Sequence, residues 1–224
     1  IASFCPNFVK SVGGVIVSTN PFNKENPFDL TGAKYTIEKD MLLLEYIPDS
    51  RNLYTYIKTA TINKSILFSA VKQVLASICV GQTRSLTHYD LHSNNVLMNK
   101  CDPNLVYIYK LKSTTICAPT YGRSANIIDF GFSYADSCKG NNMWQSLSYT
   151  DTGFNSYKYD ETFDTRMFLC CVSNEMRRYR SSKKLFNIVQ LNYGHLNIDI
   201  CSGWNEGNEN NMNDFILDKV KKYA

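Results

Sequence analysis

The stretch THYDLHSNNVLM, residues 87–98, carries two overlapping patterns of reactive side chains. In the first, His88, Asp90 and His92 alternate; on a strand they share one face, where two imidazoles and a carboxylate can hold a metal ion. A catalytic metal site calls for a further ligand cluster, and the only other histidine is His195, so ligand counting weighs against this pattern. In the second, the order is H-x-D-L-x-x-x-N: Asp90 is followed five residues on by Asn95, and an apolar run comes next. Further along, the apolar Asn126-Ile127-Ile128 leads into Asp129-Phe130-Gly131.

These groups need elements to hold them. FVKSVGGVIVST (8–19) is β-branched around Gly13-Gly14 and reads as a strand with a bend. DMLLLEYI (40–47) is a short continuous apolar run closed by Pro48, the pattern of a buried strand. NLYTYIKT (52–59) suits a short helix. In NKSILFSAVKQVLASICV (63–80), Ile66, Leu67, Ala70, Val71, Val74, Leu75 and Ile78 form a stripe of helical period, which predicts a helix stopped by Gly81. Strands are expected at 94–98, 105–111 and 126–133, the last running into a glycine turn. Residues 20–34 and 134–159 are rich in turn-forming residues and read as loops. Helical periodicity returns over 161–179, over 183–194 as far as Gly194, and over 212–223. Between the last two, GWNEGNENN (203–211) is a polar connector.

Composition narrows the function classes. The 224 residues suffice for one domain with a core, or a domain with a small appendage. The net charge of +4 is too mild to argue for nucleic acid, and KVKKY (219–223) reads as a solvated helix face. None of the eight cysteines forms a C-x-x-C pair, which argues against a zinc ribbon. With no signal peptide in view, the thiols are expected to be reduced and the setting cytoplasmic. No apolar run approaches the roughly 20 residues that span a bilayer, so no membrane partner is expected. The sequence opens on Ile1 rather than Met, which reads as a fragment or a processed form.

The ordered combination of apolar strand with Glu, amphipathic helix, H-x-D-L-x-x-x-N, apolar strand, D-F-G, polar loop and helix resembles the eukaryotic-type protein kinases. More narrowly, HYDLHSNNVLM together with PTYGRSANIIDFGFSY (119–134) resembles kinase-like proteins of giant and other large nucleocytoplasmic DNA viruses. The likeness covers roughly residues 5–180 and implies an α+β fold. Residues 1–47 would be a truncated β-rich small lobe, with its fourth and fifth strands and the hinge, and 48–224 a mostly helical large lobe. CPNFVK (5–10) resembles the segment that leads into the fourth strand of that small lobe.

The implied activity is transfer of the ATP γ-phosphate to a hydroxyl of a protein substrate, Ser/Thr in preference to Tyr. Asp90 would orient the attacking hydroxyl, while Asn95 and Asp129 would supply the hard oxygen ligands that Mg²⁺ prefers. Leu44 would be the gatekeeper, the backbone of Glu45 and Ile47 would face the adenine, and Leu97 would floor it. His88, Phe130 and Gly131 would support the site by packing and turning. Asp164, the residue of FDTRMFL that kinases keep, would accept backbone bonds from the catalytic loop; the alternative is a plain surface carboxylate. His92 stands where protein kinases carry Lys, and either contacts a phosphate when protonated or caps the loop.

Four departures from the pattern stand out. Tyr89 replaces the arginine that receives an activation-loop phosphate, so switching by that route is not expected. Thirty-three residues separate Asn95 from Asp129, which reads as an inserted hairpin or loop over 100–122, a contact surface or an inert surface loop. The Gly-rich loop and the phosphate-gripping Lys find no counterpart in these residues: SVGGVI (11–16) is not G-x-G-x-x-G, and Lys34 and Lys39 follow the wrong strand. In the activation segment, 129–159, TGFNSYKYDE (152–161) stands in place of Ala-Pro-Glu. Three readings stay open: a kinase whose small lobe is completed by an upstream segment or partner chain; a pseudokinase serving as a binding or scaffold module, in the host cytoplasm or a virion; and a small-molecule phosphotransferase.

Overall fold

The helix around which the protein is built starts at Asn63, whose side-chain oxygen accepts the N–H of Ser65 and so caps the first turn. This helix, α2 (Lys64–Gln82), buries Leu67, Ala70, Val71, Val74, Ala76 and Ile78. It runs past Gly81 rather than stopping there. Gly81 is buried within the last turn, and a Cβ there would lie 3.2 Å from Leu86 Cδ2 and 3.5 Å from Phe8. The glycine is thus a place of close packing, not a helix stop. By length and composition α2 could cross a membrane, in contrast to the sequence expectation; in the fold a little over half of it is buried.

The computed structural model describes residues 1–19, 37–59, 63–111, 114–136, 159–179 and 183–193. Most of the loop at 20–34, most of the activation segment, Gly194, the connector at 203–211 and the expected helix at 212–223 lie outside the described residues. Two units are distinguished: Val9–Tyr46, and Ile1–Phe8 together with the residues from Ile47 onward. Residues 1–8 therefore belong with the larger unit, not with the small-lobe segment expected over 1–47.

The smaller unit is an antiparallel pair, β1 (Ser11–Thr19) and β2 (Ile37–Leu44), with a register irregularity between Ser11 and Gly13, beside the Gly-Gly. Glu45 N–H donates to the Lys10 carbonyl at 2.9 Å, and Lys10 N–H donates to Glu45 Oε1 at 3.0 Å. The apolar run of β2 was expected to be buried. Instead Leu42 is 65% exposed, Leu43 and Leu44 are also exposed, and Val12 and Ile16 across the pair are more so. Two strands alone have no layer on which to bury their faces.

In the larger unit, β3 (Arg51–Asn52), β5 (Val96–Lys100) and β8 (Arg123–Ile127) form an antiparallel sheet in the order β3-β5-β8. Between β5 and β8, β6 (Val106–Lys110) and β7 (Thr115–Pro119) make a hairpin, so the insertion is a folded element. β4 (Leu86–Thr87) pairs with β9 (Tyr134–Ala135). Helix α1 (Leu53–Lys58) is capped by Asn52, whose oxygen accepts Thr55 N–H at 2.9 Å. Helix α3 (Phe163–Arg178) buries Phe168, Val172 and Met176, and α4 (Lys184–Tyr193) packs beside it.

The outer edge of β8 is closed by side chains instead of a fourth strand. Gln73 of α2, fully buried, accepts Ala125 N–H at 2.8 Å and donates to the Arg123 carbonyl at 3.0 Å, as a neighbouring strand would. Asn7 donates to the Ala125 carbonyl, accepts the Tyr109 hydroxyl at 2.7 Å, and takes Ile127 N–H on its own carbonyl. This network is what ties residues 1–8 to the larger unit. Gln73→Leu fits the volume but orphans Ala125 N–H and the Arg123 carbonyl. We expect it to lower the urea-unfolding free energy by about 4 kcal/mol; an unchanged midpoint would show that the edge is satisfied in another way.

Candidate functional site

The reactive loop is fixed from below by α3. Asp164, in its first turn, is buried, and its two oxygens accept His88 N–H at 2.7 Å and Tyr89 N–H at 3.0 Å. Burial pushes its pKa up to about 6, against the pull of those two bonds. Tyr89 has φ 64, in the left-handed region that a bulky residue rarely enters. Its ring is buried with the Phe163 ring centroid 4.9 Å away, so the place of the expected arginine is filled by packing. The start of α3 is tied to the same loop: Asp160 accepts the N–H groups of Thr162 and Phe163, and its backbone exchanges bonds with the Thr87 hydroxyl.

Beyond this turn the polar groups converge. Asn95 Nδ2 donates to the Asp90 carbonyl at 2.9 Å and to Asp90 Oδ2 at 3.1 Å. Two acceptors on one side fix the amide orientation and leave Oδ1 on the other. Asn95 Oδ1 carries no hydrogen bond among the described residues. The Asn95 carbonyl accepts Ile128 N–H at 3.0 Å, which brings Asp129 alongside. Burial, and next the charge of Asp129, push the Asp90 pKa up to about 6, while the Asn95 bond opposes them. Asp129 also has a positive φ, 63°, and its carboxylate is exposed. Gly131 N–H donates to Asp129 Oδ1 at 3.4 Å, and a Cβ on Gly131 would sit 3.3 Å from that oxygen.

His88 joins the two halves. Asp90 N–H donates to its Nδ1 at 3.2 Å, so the proton sits on Nε2, which donates to the Ile128 carbonyl at 2.9 Å. Burial lowers its pKa to about 4, so the ring is neutral. Phe130 packs on this ring with centroids 4.9 Å apart, and on Phe8 from the other side. His92 accepts Asn94 N–H on Nδ1 at 3.2 Å, capping the turn at Ser93–Asn95. Burial, and next His88, hold its pKa down at about 4. Its Nε2, 3.5 Å from Asp90 Oδ1, is therefore a neutral N–H facing a carboxylate rather than an ion pair. This is the capping alternative, not a cation awaiting phosphate.

The alternating His88, Asp90 and His92 do not form a metal triad. Each imidazole is turned to backbone, and among the described residues no three His, Cys, Asp or Glu side chains group to hold a metal. The six described cysteines, Cys79 and Cys170 among them, form no disulfide with one another. Leu97 is half-buried on β5, and the Ile47 carbonyl accepts the Ser50 hydroxyl at 2.9 Å. Leu44 and Glu45 lie in the hairpin unit, with Leu44 exposed and the Glu45 N–H engaged by Lys10.

One buried group escaped sequence reasoning. Glu175, three turns along α3 from Asp164, accepts the Ser93 hydroxyl on Oε1 at 2.8 Å, and its buried Oε2 has no partner among the described residues. The helical spacing from Asp164 was the available signal. Burial pushes the Glu175 pKa up to about 7, against the Ser93 bond and the nearby Arg178 charge.

Two proteins of invertebrate iridescent viruses are similar to the chain. Uncharacterized protein 098R of Invertebrate iridescent virus 6 is 28% identical over 248 aligned residues, which take in 92% of this chain and 41% of that protein. Uncharacterized protein 038R of Invertebrate iridescent virus 3 is 26% identical over 174 residues, or 75% of this chain and 30% of that protein. The chain thus spans well under half the length of these curated relatives. No protein-family model matches it. The similarity is to proteins of large DNA viruses.

Asp164→Ala should cost about 3 kcal/mol in stability, because it strips two buried N–H groups of a charged acceptor. Hydrogen exchange at the amides of His88 and Tyr89 should rise with it; unchanged exchange there would mean that other contacts hold the turn. Glu175 makes a pH-dependent prediction. Unfolded, its carboxyl loses its proton near the ordinary 4.5; folded, it keeps the proton to about 7. Between those values the folded state binds more protons, so stability falls as pH rises, by about 3 kcal/mol across the window. Glu175→Gln should remove that part of the slope and be the more stable form above pH of about 8. Equal slopes in the two proteins would contradict the raised pKa.

Proposed function

We propose that this chain carries the catalytic loop and metal-binding turn of a protein kinase-like phosphotransferase that moves the γ-phosphate of ATP to a protein hydroxyl. The observation that carries the reading is Asn95. Its amide nitrogen is spent on Asp90 and its carbonyl on Ile128, so a single residue aligns Asp90, Asp129 and a free amide oxygen. Asn95 Oδ1 and the exposed Asp129 carboxylate are hard oxygen donors and fit Mg²⁺. When bound, that ion offsets the charge of the nucleotide phosphates.

In this reading the Asp90 carboxylate accepts a hydrogen bond from the substrate hydroxyl and directs its oxygen at the γ-phosphorus. A new O–P bond forms, the bond to the leaving ADP oxygen breaks, and the hydroxyl proton passes to Asp90. Asn95 and His92 hold the carboxylate in place. The adenine-facing roles of Leu44, Glu45, Ile47 and Leu97 rest on the kinase resemblance. So does the view of the Val9–Tyr46 hairpin as part of a small lobe; its exposed Val12, Ile16 and Leu42 support a covering layer outside the described residues.

A scaffold role is the second reading. It is favoured by the lack of G-x-G-x-x-G and a matching Lys in these 224 residues, and by the buried Tyr89 at the phosphate-receiving position. The two readings separate in nucleotide titration by calorimetry beside a radiolabelled transfer assay. The 224-residue chain is compared with one extended to the length of the viral relatives. We expect weak Mg-ATP binding and trace transfer in the short form, with recovery in the long one. Asp129→Ala should weaken Mg-ATP binding tenfold or more, and Asp90→Asn should cut transfer by about 10²-fold or more with nucleotide affinity kept. Silence of both forms would favour the scaffold, and binding indifferent to Asp129→Ala would refute the metal role.

A further inference from the structure

A second polar site lies at the far end of the β3-β5-β8 sheet, and its charges follow from strand register. Lys100 is the direct partner of Arg123 across β5 and β8, and Arg51 is the partner of Met98, two residues before Lys100. Directly opposed residues, and residues two apart, share a face. Arg51, Lys100 and Arg123 therefore come together on one side of three adjacent strands. Like charges directly opposed across a pair are destabilising. None of the three has a carboxylate within ion-pair distance among the described residues.

The three cations line one cavity of about 440 Å³, with Tyr56 and Asp49 also in its wall. That volume suits a small ligand or one side chain of a partner. The Arg123 guanidinium lies 5.5 Å from the Tyr56 ring centroid, which positions it. The Tyr56 hydroxyl has no hydrogen-bond partner among the described residues. Three cations against one carboxylate leave a surplus of two positive charges. A phosphate monoester carries about that charge in the opposite sense, and its three acceptor oxygens match guanidinium and ammonium donors.

We infer that this cavity is a binding site for a phosphate monoester, borne by a phosphorylated protein side chain or by a small phosphorylated molecule. The inference stands apart from the phosphotransfer reading, since none of its residues belongs to the Asp90–Asn95–Asp129 cluster. A nucleic acid fits less well. The cations are gathered in one cavity instead of a track, Asp49 stands among them, and the whole chain carries only +4.

The test is fluorescence polarisation with the 224-residue chain. The probes are a short neutral peptide bearing one phosphoserine, its unphosphorylated twin, inorganic phosphate as competitor, and a single-stranded oligonucleotide. The phosphopeptide should bind about tenfold or more tightly than its twin. Arg51→Gln and Lys100→Gln should each weaken it several-fold, and both side chains are exposed, so these variants keep the fold. Lys100→Gln should also raise the thermal midpoint without ligand, by about 1–2 °C, because it removes the opposed charges. Competition by inorganic phosphate at equal affinity would identify a small phosphorylated molecule as the source; much weaker competition would identify a protein. Equal or absent binding of the two peptides, binding untouched by both variants, or tighter binding of the oligonucleotide through the same residues would each overturn the inference.

Discussion

The Asp164 carboxylate holds two consecutive backbone N–H groups, those of His88 and Tyr89, at a turn whose second residue lies in the left-handed region. A non-glycine residue there costs on the order of 1–2 kcal/mol, and an aromatic one gains no local hydrogen bond in return. Two charge-assisted bonds to a buried acceptor exceed that cost. The direction of the next residue depends on this turn. With Tyr89 so bent, Asp90 N–H reaches His88 Nδ1, and the Asp90 side chain and carbonyl both face Asn95. The helix that supplies Asp164 also supplies Glu175, whose bond to Ser93 holds the far side of the same loop.

Asp129 also needs a fixed place beside this loop, and that comes from β8. Asn95 and His88 each bond the backbone of Ile128, one by its carbonyl and the other by its ring. β8 is an edge strand, and its register holds because Gln73 and Asn7 stand in for a missing neighbour. Helix α2 thus acts on the site at a distance, by satisfying the backbone groups of the strand that leads to Asp129. Pairing of β4 with β9 and the bond from Ser133 to the His88 carbonyl close the turn after Gly131.

Much of this was legible in the residues, and the misses have physical causes. The α2 stripe was visible because a helix buried on one face repeats its apolar residues. Asp164 was visible because its spacing and type matched a kinase pattern, although its two bonds depend on tertiary contact. Gly81 misled because glycine serves both as a helix stop and as a point of close approach, and the choice depends on Phe8 and Leu86. The run at 40–47 misled because apolar continuity reports a surface that wants burial, not one that has found it. Gln73, Asn7 and the Arg51–Lys100–Arg123 cluster carry no local signal, since their meaning lies in strand register and in pairs far apart in sequence.

Tyr89 shows how the loop keeps its order. A cation at that position would need a negative partner to stay in place, so the loop would respond to the charge of the segment that follows Gly131. A buried tyrosine packs on the Phe163 ring instead. Its burial also holds the phenol far above its ordinary pKa, so it stays neutral. Among the described residues the turn rests on packing against Phe163 and on the two bonds to Asp164.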